Sequence, residues 1–200
     1  MLKRRLIALT LAVESVLLFP VAYQPNLRFD YIQTLSRWFA KAVPPETVFI
    51  GDSITSAGMQ FHNFRSINLA SSGLQTYQVA GQLEKARSFG PQHIAIMAGM
   101  NDADKRPIDR KELIGAWKKI CADSRIVITL PPPTSFDNLN QGLAEINRII
   151  LTTCPNNKII DLRKLAGKDG KVLPQYTEDG VHLSSAGHAV WRSELRKVGI

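Results

Sequence analysis

Short apolar runs alternate with longer, more polar segments along most of the chain. The short runs are rich in Ile and Val, and several end at Gly, Asp or Pro, which is typical of strands followed by turns. They predict strands at residues 48–50, 67–69, 94–97, 126–130 and 159–161, and helices at about residues 75–89, 109–121, 138–152 and 185–197. Strands that alternate with helices of this length form a parallel sheet. We therefore predict an α/β fold, a three-layer α/β/α sandwich.

Two of the predicted helices carry recognisable start signals. Asp109 stands three residues before Glu112, which is the spacing of a capping box. Ser184 precedes the last helix and can cap it, although Gly187 in the first turn weakens that helix by about 1 kcal/mol.

The first 23 residues have the pattern of an export signal or a membrane anchor. Lys3, Arg4 and Arg5 precede apolar positions 6–13 and 16–23. About 18 helical residues span about 27 Å, slightly less than the roughly 30 Å of a bilayer core, and Glu14 adds a cost of about 3 kcal/mol. We favour an uncleaved signal-anchor narrowly over a cleaved signal peptide, and an amphipathic surface helix is a third alternative. In the first two cases the rest of the chain is expected in the periplasm or another extracytoplasmic space.

The remaining chain divides into a connector at residues 24–46 and one domain at residues 47–200. Within the connector, Pro44 and Pro45 would end a short helix at residues 31–43. A chain of 200 residues is long enough for one domain with a substantial core. The formal net charge of +8 fits an anionic membrane surface or a polyanionic cell envelope. Since the chain has no long run of Lys and Arg and no recognisable nucleic-acid module, we expect no nucleic-acid partner.

Cys121 and Cys154 each lie five residues before a predicted strand. If the two strands are parallel neighbours, both thiols lie at one edge of the sheet, where a disulfide would close a loop of about 34 residues and add up to about 4 kcal/mol. An oxidising compartment permits this bond. Two unrelated buried thiols are an equal alternative.

Residues suited to nucleophilic catalysis follow the first strand and recur near the end of the chain. The run at residues 48–50 stops at Gly51-Asp52-Ser53, which places a hydroxyl at the carboxyl edge of the sheet, where open α/β sheets bind ligands. Asp179 and His182 lie three residues apart. Serine needs a base to become a nucleophile, and an acid that orients the imidazole completes such a site. This combination predicts a serine hydrolase.

Four blocks of the sequence resemble those of the SGNH (GDSL-type) hydrolase family, and the resemblance extends over residues 47–200. It implies a five-stranded, flavodoxin-like parallel sheet. The blocks lie at residues 51–55, 68–73, 99–102 and 179–183. The resemblance implies a catalytic nucleophile at Ser53, a base at His182 and an orienting acid at Asp179. It also implies an oxyanion hole formed by the amides of Ser53 and Gly73 and the side chain of Asn101. The chain departs from the family at Ser56-Ala57-Gly58 and at Met100.

The other polar residues near these blocks are expected to have structural roles. We expect Asp52 to hold its turn through local amides and Asp102 to act similarly after Asn101, and we expect His93 and His188 to be structural or exposed. His62 is a single histidine with no partner at metal-ligand spacing. Five apolar side chains are expected either to line a groove for the acyl chain or to fill the core. They are Met59, Phe61, Phe64, Met97 and Met100. No metal-ligand spacing or phosphate-binding glycine motif is present, so we predict no cofactor.

The sequence therefore predicts an exported esterase that forms an acyl-enzyme on Ser53. The predicted substrates are an O-acetylated envelope polysaccharide or peptidoglycan, a lysophospholipid or a short acyl ester. Two alternatives from other classes are a carbohydrate- or lipid-binding module without turnover and a flavodoxin-like nucleotide binder, because a fold does not dictate a function.

Overall fold

A computed structural model describes residues 43–59, 65–105 and 107–200 of the chain. Its strands are β1 (Thr47–Gly51), β2 (Ser66–Asn68), β3 (His93–Met97), β4 (Ile126–Leu130) and β5 (Lys158–Asp161). Its α-helices are α1 (Ser53–Gly58), α2 (Thr76–Gly81), α3 (Leu83–Ser88), α4 (Met100–Asp104), α5 (Arg110–Cys121), α6 (Asp137–Thr153) and α7 (Ser185–Lys197). Two 3-10 helices span Leu162–Leu165 and Pro174–Tyr176.

The five strands form one parallel sheet in the order β2-β1-β3-β4-β5. In the pairing of β1 with β3, Gly51 at the end of β1 lies beside Met97 at the end of β3. Strand order reverses at this pair, which makes it the switch point where ligands bind in flavodoxin-like sheets. The predicted α/β fold with a five-stranded, flavodoxin-like parallel sheet is confirmed.

The sheet is buried on both faces, as its nearly continuous apolar strands require. Every residue of β1 and β4 is buried. Trp117 of α5 and Trp191 of α7 are also fully buried. The indole Nε1 of Trp191 donates a hydrogen bond of 2.9 Å to Oγ1 of Thr129 on β4, which fixes the last helix against the sheet.

The predicted helix at residues 75–89 is wrong as a single element, because the structure has α2 and α3 there, separated at Gln82. The side chain of Gln82 donates through Nε2 to the carbonyl of Leu69 at 2.9 Å. Gly81 just before it has a low helix propensity. The structure also contains the short helices α1 and α4, which the sequence did not predict.

Both predicted helix caps are present. Asp109 accepts a hydrogen bond from the amide of Glu112 at 3.0 Å, and Ser184 accepts one from the amide of Gly187 at 3.3 Å. A Cβ on Gly187 would lie 2.5 Å from the carbonyl oxygen of Tyr176. Because residue 187 is a glycine, α7 can pack closely against the segment that precedes it.

Cys121 and Cys154 form a disulfide, with their Cα atoms 5.3 Å apart. Cys121 ends α5, and Cys154 follows α6 directly. The alternative of a disulfide, rather than two separate thiols, therefore agrees with the structure.

The predicted N-terminal segment at residues 1–23 and most of the connector at residues 24–46 lie outside the described residues. Within residues 43–59, 65–105 and 107–200, no helix has the length and apolar character that crossing a bilayer requires.

Candidate active site

Ser53 lies at the carboxyl edge of the sheet, as the first residue of α1. Gly51 ends β1 where the backbone packs closely, since a Cβ there would lie 2.4 Å from the carbonyl oxygen of Met97. Asp52 is the N-cap of α1, and its side chain accepts a hydrogen bond from the amide of Ile54 at 3.1 Å. The turn therefore presents a half-buried serine at the start of a helix.

The side chains of Ser53, His182 and Asp179 form a continuous hydrogen-bonded chain. Oγ of Ser53 lies 2.9 Å from Nε2 of His182, and Nδ1 of His182 lies 2.7 Å from Oδ2 of Asp179. Because a carboxylate only accepts hydrogen bonds, Nδ1 carries the proton, and Nε2 accepts from the serine hydroxyl. Such an arrangement can remove a proton from the hydroxyl.

Asp179 is held in its ionised form by hydrogen bonds. Its bond with the His182 ring is the largest cause that lowers the pKa of its carboxyl to about 2. Its Oδ1 also accepts from the amides of Val181 at 2.9 Å and His182 at 2.7 Å. The acid and the base therefore belong to one compact turn, which a spacing of three residues permits.

The turn that carries the acid and the base is anchored to its surroundings. The hydroxyl of Thr177 accepts from the amide of Gly180 and donates to the carbonyl of His182, each at 2.8 Å. The carbonyl of Gly180 accepts from the amide of Ser135 at 2.8 Å. Gly180 has φ +90°, and a Cβ there would lie 3.0 Å from the ring of Phe136, so this turn requires glycine.

Gly73 and Asn101 lie on two segments that the structure links directly. Nδ2 of Asn101 donates a hydrogen bond of 2.9 Å to the carbonyl of Leu74. The segment before Gly73 is tied to β1, since the amide of Ser71 donates to the carbonyl of Gly51 at 3.1 Å. Gly73 is exposed and has φ +77°. Nδ2 of Asn101 has a second hydrogen that can face an oxyanion.

Asp102 also ties α4 to the segment at residues 73–76. Its Oδ2 accepts from both the amide and the hydroxyl of Thr76, each at 2.9 Å. The prediction that Asp52 bonds to a local amide agrees with the structure. Asp102 also has the structural role that was expected, although its partner Thr76 lies 26 residues away in the sequence. Thr76 is a residue of the site that the sequence did not indicate, since only the folded chain brings it to Asp102.

The two buried carboxyls of this region are shifted toward their neutral forms. Burial raises the pKa of Asp52 to about 7 and also raises the pKa of Asp102.

His188 is buried on α7, and burial lowers its pKa to about 4. His93 is half-buried at the start of β3. Both histidines have the structural positions that were expected.

Three of the candidate groove residues, Met59, Met97 and Met100, are part of the core. Phe61, Phe64 and His62 lie outside the described residues.

In the part of the chain that the structure describes, no three His, Cys, Asp or Glu side chains are grouped so that they could hold a metal ion.

Comparison with known families identifies the class of this site. A model of the GDSL-like Lipase/Acylhydrolase family matches residues 49–190. The chain belongs to this family. The predicted recognition as an SGNH (GDSL-type) hydrolase and the predicted enzyme class, a serine hydrolase that acts on ester bonds, are thereby confirmed. No functionally curated protein matches the chain at a significant level.

Several solved structures share the fold. A GDSL-like lipase from Bacteroides thetaiotaomicron is 20% identical, with a TM-score of 0.66 over 83% of this chain and 96% of its own. The psychrotrophic esterase EstA from Pseudoalteromonas is 16% identical, with a TM-score of 0.56 over 76% and 95%. The catalytic domain of peptidoglycan O-acetyltransferase A from Streptococcus pneumoniae is 17% identical, with a TM-score of 0.54 over 76% and 91%. At these identities the likeness concerns the fold alone.

Proposed function

We propose that the protein is an exported serine esterase that hydrolyses carboxylic esters through an acyl-enzyme on Ser53. The observation that carries the proposal is the hydrogen-bonded chain from Asp179 through His182 to Ser53, with distances of 2.7 and 2.9 Å. Ser53 is the nucleophile in this account, His182 the general base and Asp179 the acid that fixes the imidazole tautomer.

The reaction proceeds in two halves. His182 takes the hydroxyl proton as Oγ of Ser53 attacks the ester carbonyl, and it then gives this proton to the departing alcohol. Water, activated in the same way, hydrolyses the acyl-enzyme and releases the acid. During both halves the oxyanion is stabilised by the amides of Ser53 and Gly73 and by the side chain of Asn101.

The exposure of the site supports a large acylated substrate. The side chain of His182 is 39% exposed and that of Asp179 55% exposed. We propose O-acetylated polysaccharide or peptidoglycan of the cell envelope as the substrate class, ahead of a lysophospholipid or another short acyl ester. The net charge of +8 favours a polyanionic envelope, and one fold relative is a peptidoglycan O-acetyltransferase domain.

The basic and apolar pattern of residues 1–23 supports export and a tether to the cytoplasmic membrane. Residues 24–46 would then link the anchor to a hydrolase domain at residues 47–200. Protease treatment of spheroplasts tests the placement. Degradation of the domain without lysis is the expected result, and protection until lysis would contradict export.

Hydrolysis by the purified full chain tests the activity. The panel contains O-acetylated peptidoglycan, an acetylated xylan, p-nitrophenyl acetate and a lysophospholipid. Turnover should disappear in Ser53→Ala and persist in Ser56→Ala, which changes another serine of the same helix. If the folded wild-type protein binds an acylated glycan but hydrolyses none of the panel, the chain is a binding module rather than an esterase.

A further inference from the structure

Phe136 is an exposed aromatic side chain beside the turn that carries the acid and the base. The residue is 46% exposed. Its ring lies against Gly180, where a Cβ would approach Cε2 of Phe136 to 3.0 Å. The amide of Ser135 also donates to the carbonyl of Gly180 at 2.8 Å. Since Gly180 stands between Asp179 and His182 in the sequence, the phenyl ring lies next to the turn that holds both catalytic residues.

The stability of the folded chain does not explain a phenylalanine at this position. Phe136 is the N-cap of α6, and its side chain makes no capping hydrogen bond. Ser, Thr, Asp and Asn are strongly preferred there, because their side chains accept from the first amides of the helix. The exposed part of the ring also contributes no free energy of burial. A residue that lowers stability beside a reaction centre is a candidate for a role in function.

The backbone that carries the ring is held in place by its neighbours. The hydroxyl of the buried Thr134 accepts from the amide of Phe136 at 3.1 Å. The side chain of Asn140 accepts from the amide of Thr134 at 2.7 Å and donates to its carbonyl at 2.9 Å. The ring therefore extends from a fixed segment, and little conformational entropy is lost when it binds a ligand.

The reaction places the alcohol part of the ester on this side of the site. His182 gives its proton to the departing alcohol, so the alcohol oxygen must lie beside Nε2 of His182. The carbonyl oxygen of the ester faces the other donors, Gly73 and Asn101. Because Phe136 lies against the turn of His182, its ring is placed to contact the alcohol.

We propose that Phe136 binds the sugar ring that carries the ester, by stacking on the alcohol side of the site. The inference rests on the proposed function, because an O-acetylated glycan supplies a sugar as the alcohol. One face of a pyranose ring consists of C–H groups, which pack flat against an aromatic ring, and the hydroxyls at its rim bond to polar groups. Ser135, Asp137 and Asp179 next to Phe136 are polar, as this ligand requires.

An acyl chain does not match these surroundings. Such a chain needs a continuous apolar surface, whereas the candidates for an acyl groove that the structure describes, Met59, Met97 and Met100, lie in the core.

Kinetics of the full chain on esters that differ in one part at a time test the proposal. Acetylated xylan and O-acetylated peptidoglycan share the acyl group of ethyl acetate, whereas ethyl octanoate shares its alcohol. In Phe136→Asn, the ratio of kcat/KM for the glycans to kcat/KM for ethyl acetate should fall about three- to tenfold, mainly through a higher KM, because one ring contact is lost. Phe136→Leu keeps an apolar side chain without a flat ring and should show the same fall, while Phe136→Tyr should keep the wild-type ratio.

Urea denaturation separates this role from a structural one. Because Asn is a preferred N-cap residue, Phe136→Asn should unfold at a urea concentration no lower than that of the wild type. Leu151→Gln is the matched control, since Leu151 is 40% exposed on the same helix and lies about 22 Å from Phe136 along its axis. This control should keep the wild-type ratio.

An unchanged ratio in Phe136→Asn would overturn the proposal, and so would a wild-type ratio in Phe136→Leu, since stacking needs the flat ring. If Phe136→Asn does not fold, the comparison of Phe136→Leu with Phe136→Tyr decides alone. A larger loss with ethyl octanoate than with the glycans would assign the ring to the acyl chain instead. Wild-type protein that hydrolyses ethyl acetate but neither glycan refutes only the sugar site, whereas folded wild-type protein that hydrolyses none of these esters refutes the esterase.

Discussion

Gly142 of α6 lies against the short helix that carries Asn101, and Gly142→Ala should disturb both stability and catalysis. A Cβ at this position would lie 2.9 Å from the carbonyl oxygen of Ala103 and 3.0 Å from its Cα. Both contacts are with backbone atoms of α4, so the helix itself must move. Asn101 precedes Ala103 by two residues in the same helix and moves with it.

A matched variant isolates the packing cost. Gly115 lies inside α5, and a Cβ there meets nothing within 4 Å. Gly115→Ala should therefore stabilise the protein by about 1 kcal/mol, which is the difference in helix propensity. Gly142→Ala gains the same propensity but also has an overpacking cost of about 1–3 kcal/mol. The difference between the two variants should equal this cost.

Urea denaturation gives the two free energies of unfolding, and hydrolysis of p-nitrophenyl acetate gives kcat. We expect Gly142→Ala to be less stable than Gly115→Ala by about 1–3 kcal/mol and to have a lower kcat, while Gly115→Ala keeps wild-type kcat. Equal stabilisation by both substitutions, with kcat unchanged in both, would refute the close packing of α6 on α4.

Three further predictions concern other parts of the molecule. Asn101→Ala should fold but lose about 2–4 kcal/mol of transition-state stabilisation in kcat/KM, and full activity in this variant would contradict its oxyanion role. Because burial lowers the pKa of His188 to about 4, wild-type stability should fall by up to about 3 kcal/mol as the pH drops from about 6.5 to 4. Urea titrations should detect a smaller loss in His188→Gln, and an equal loss would be evidence against the buried neutral ring. Reduction of the bond between Cys121 and Cys154 should lower the free energy of unfolding by up to about 4 kcal/mol; a melting temperature unaffected by reductant would exclude that contribution.

The sheet could be predicted because its strands are apolar on both faces. A central strand such as Val48-Phe49-Ile50 is recognisable without any knowledge of its neighbours. The site could be predicted because Ser53, Asn101, Asp179 and His182 stand in short blocks at fixed positions after strands or in one turn. Local patterns of this kind can be recognised from the sequence alone.

Other features depend on contacts that no local pattern records. Helices α1 and α4 have six and five residues, too few to display a helical period. The break at Gln82 depends on its bond to Leu69, and the link from Asp102 to Thr76 joins two segments 26 residues apart in the sequence. The burial of Asp52 and His188 results from packing around the sheet. These features required the folded chain.

Mass spectrometry of the full chain after treatment with a phosphonate tests most directly whether Ser53 is the nucleophile. The account predicts one adduct per molecule, located on the peptide that contains Ser53, and none in folded Ser53→Ala. It also predicts that labelling slows strongly in His182→Ala, because Nε2 of His182 lies 2.9 Å from Oγ of Ser53. An adduct on another residue, or no adduct on folded wild-type protein, would contradict the account.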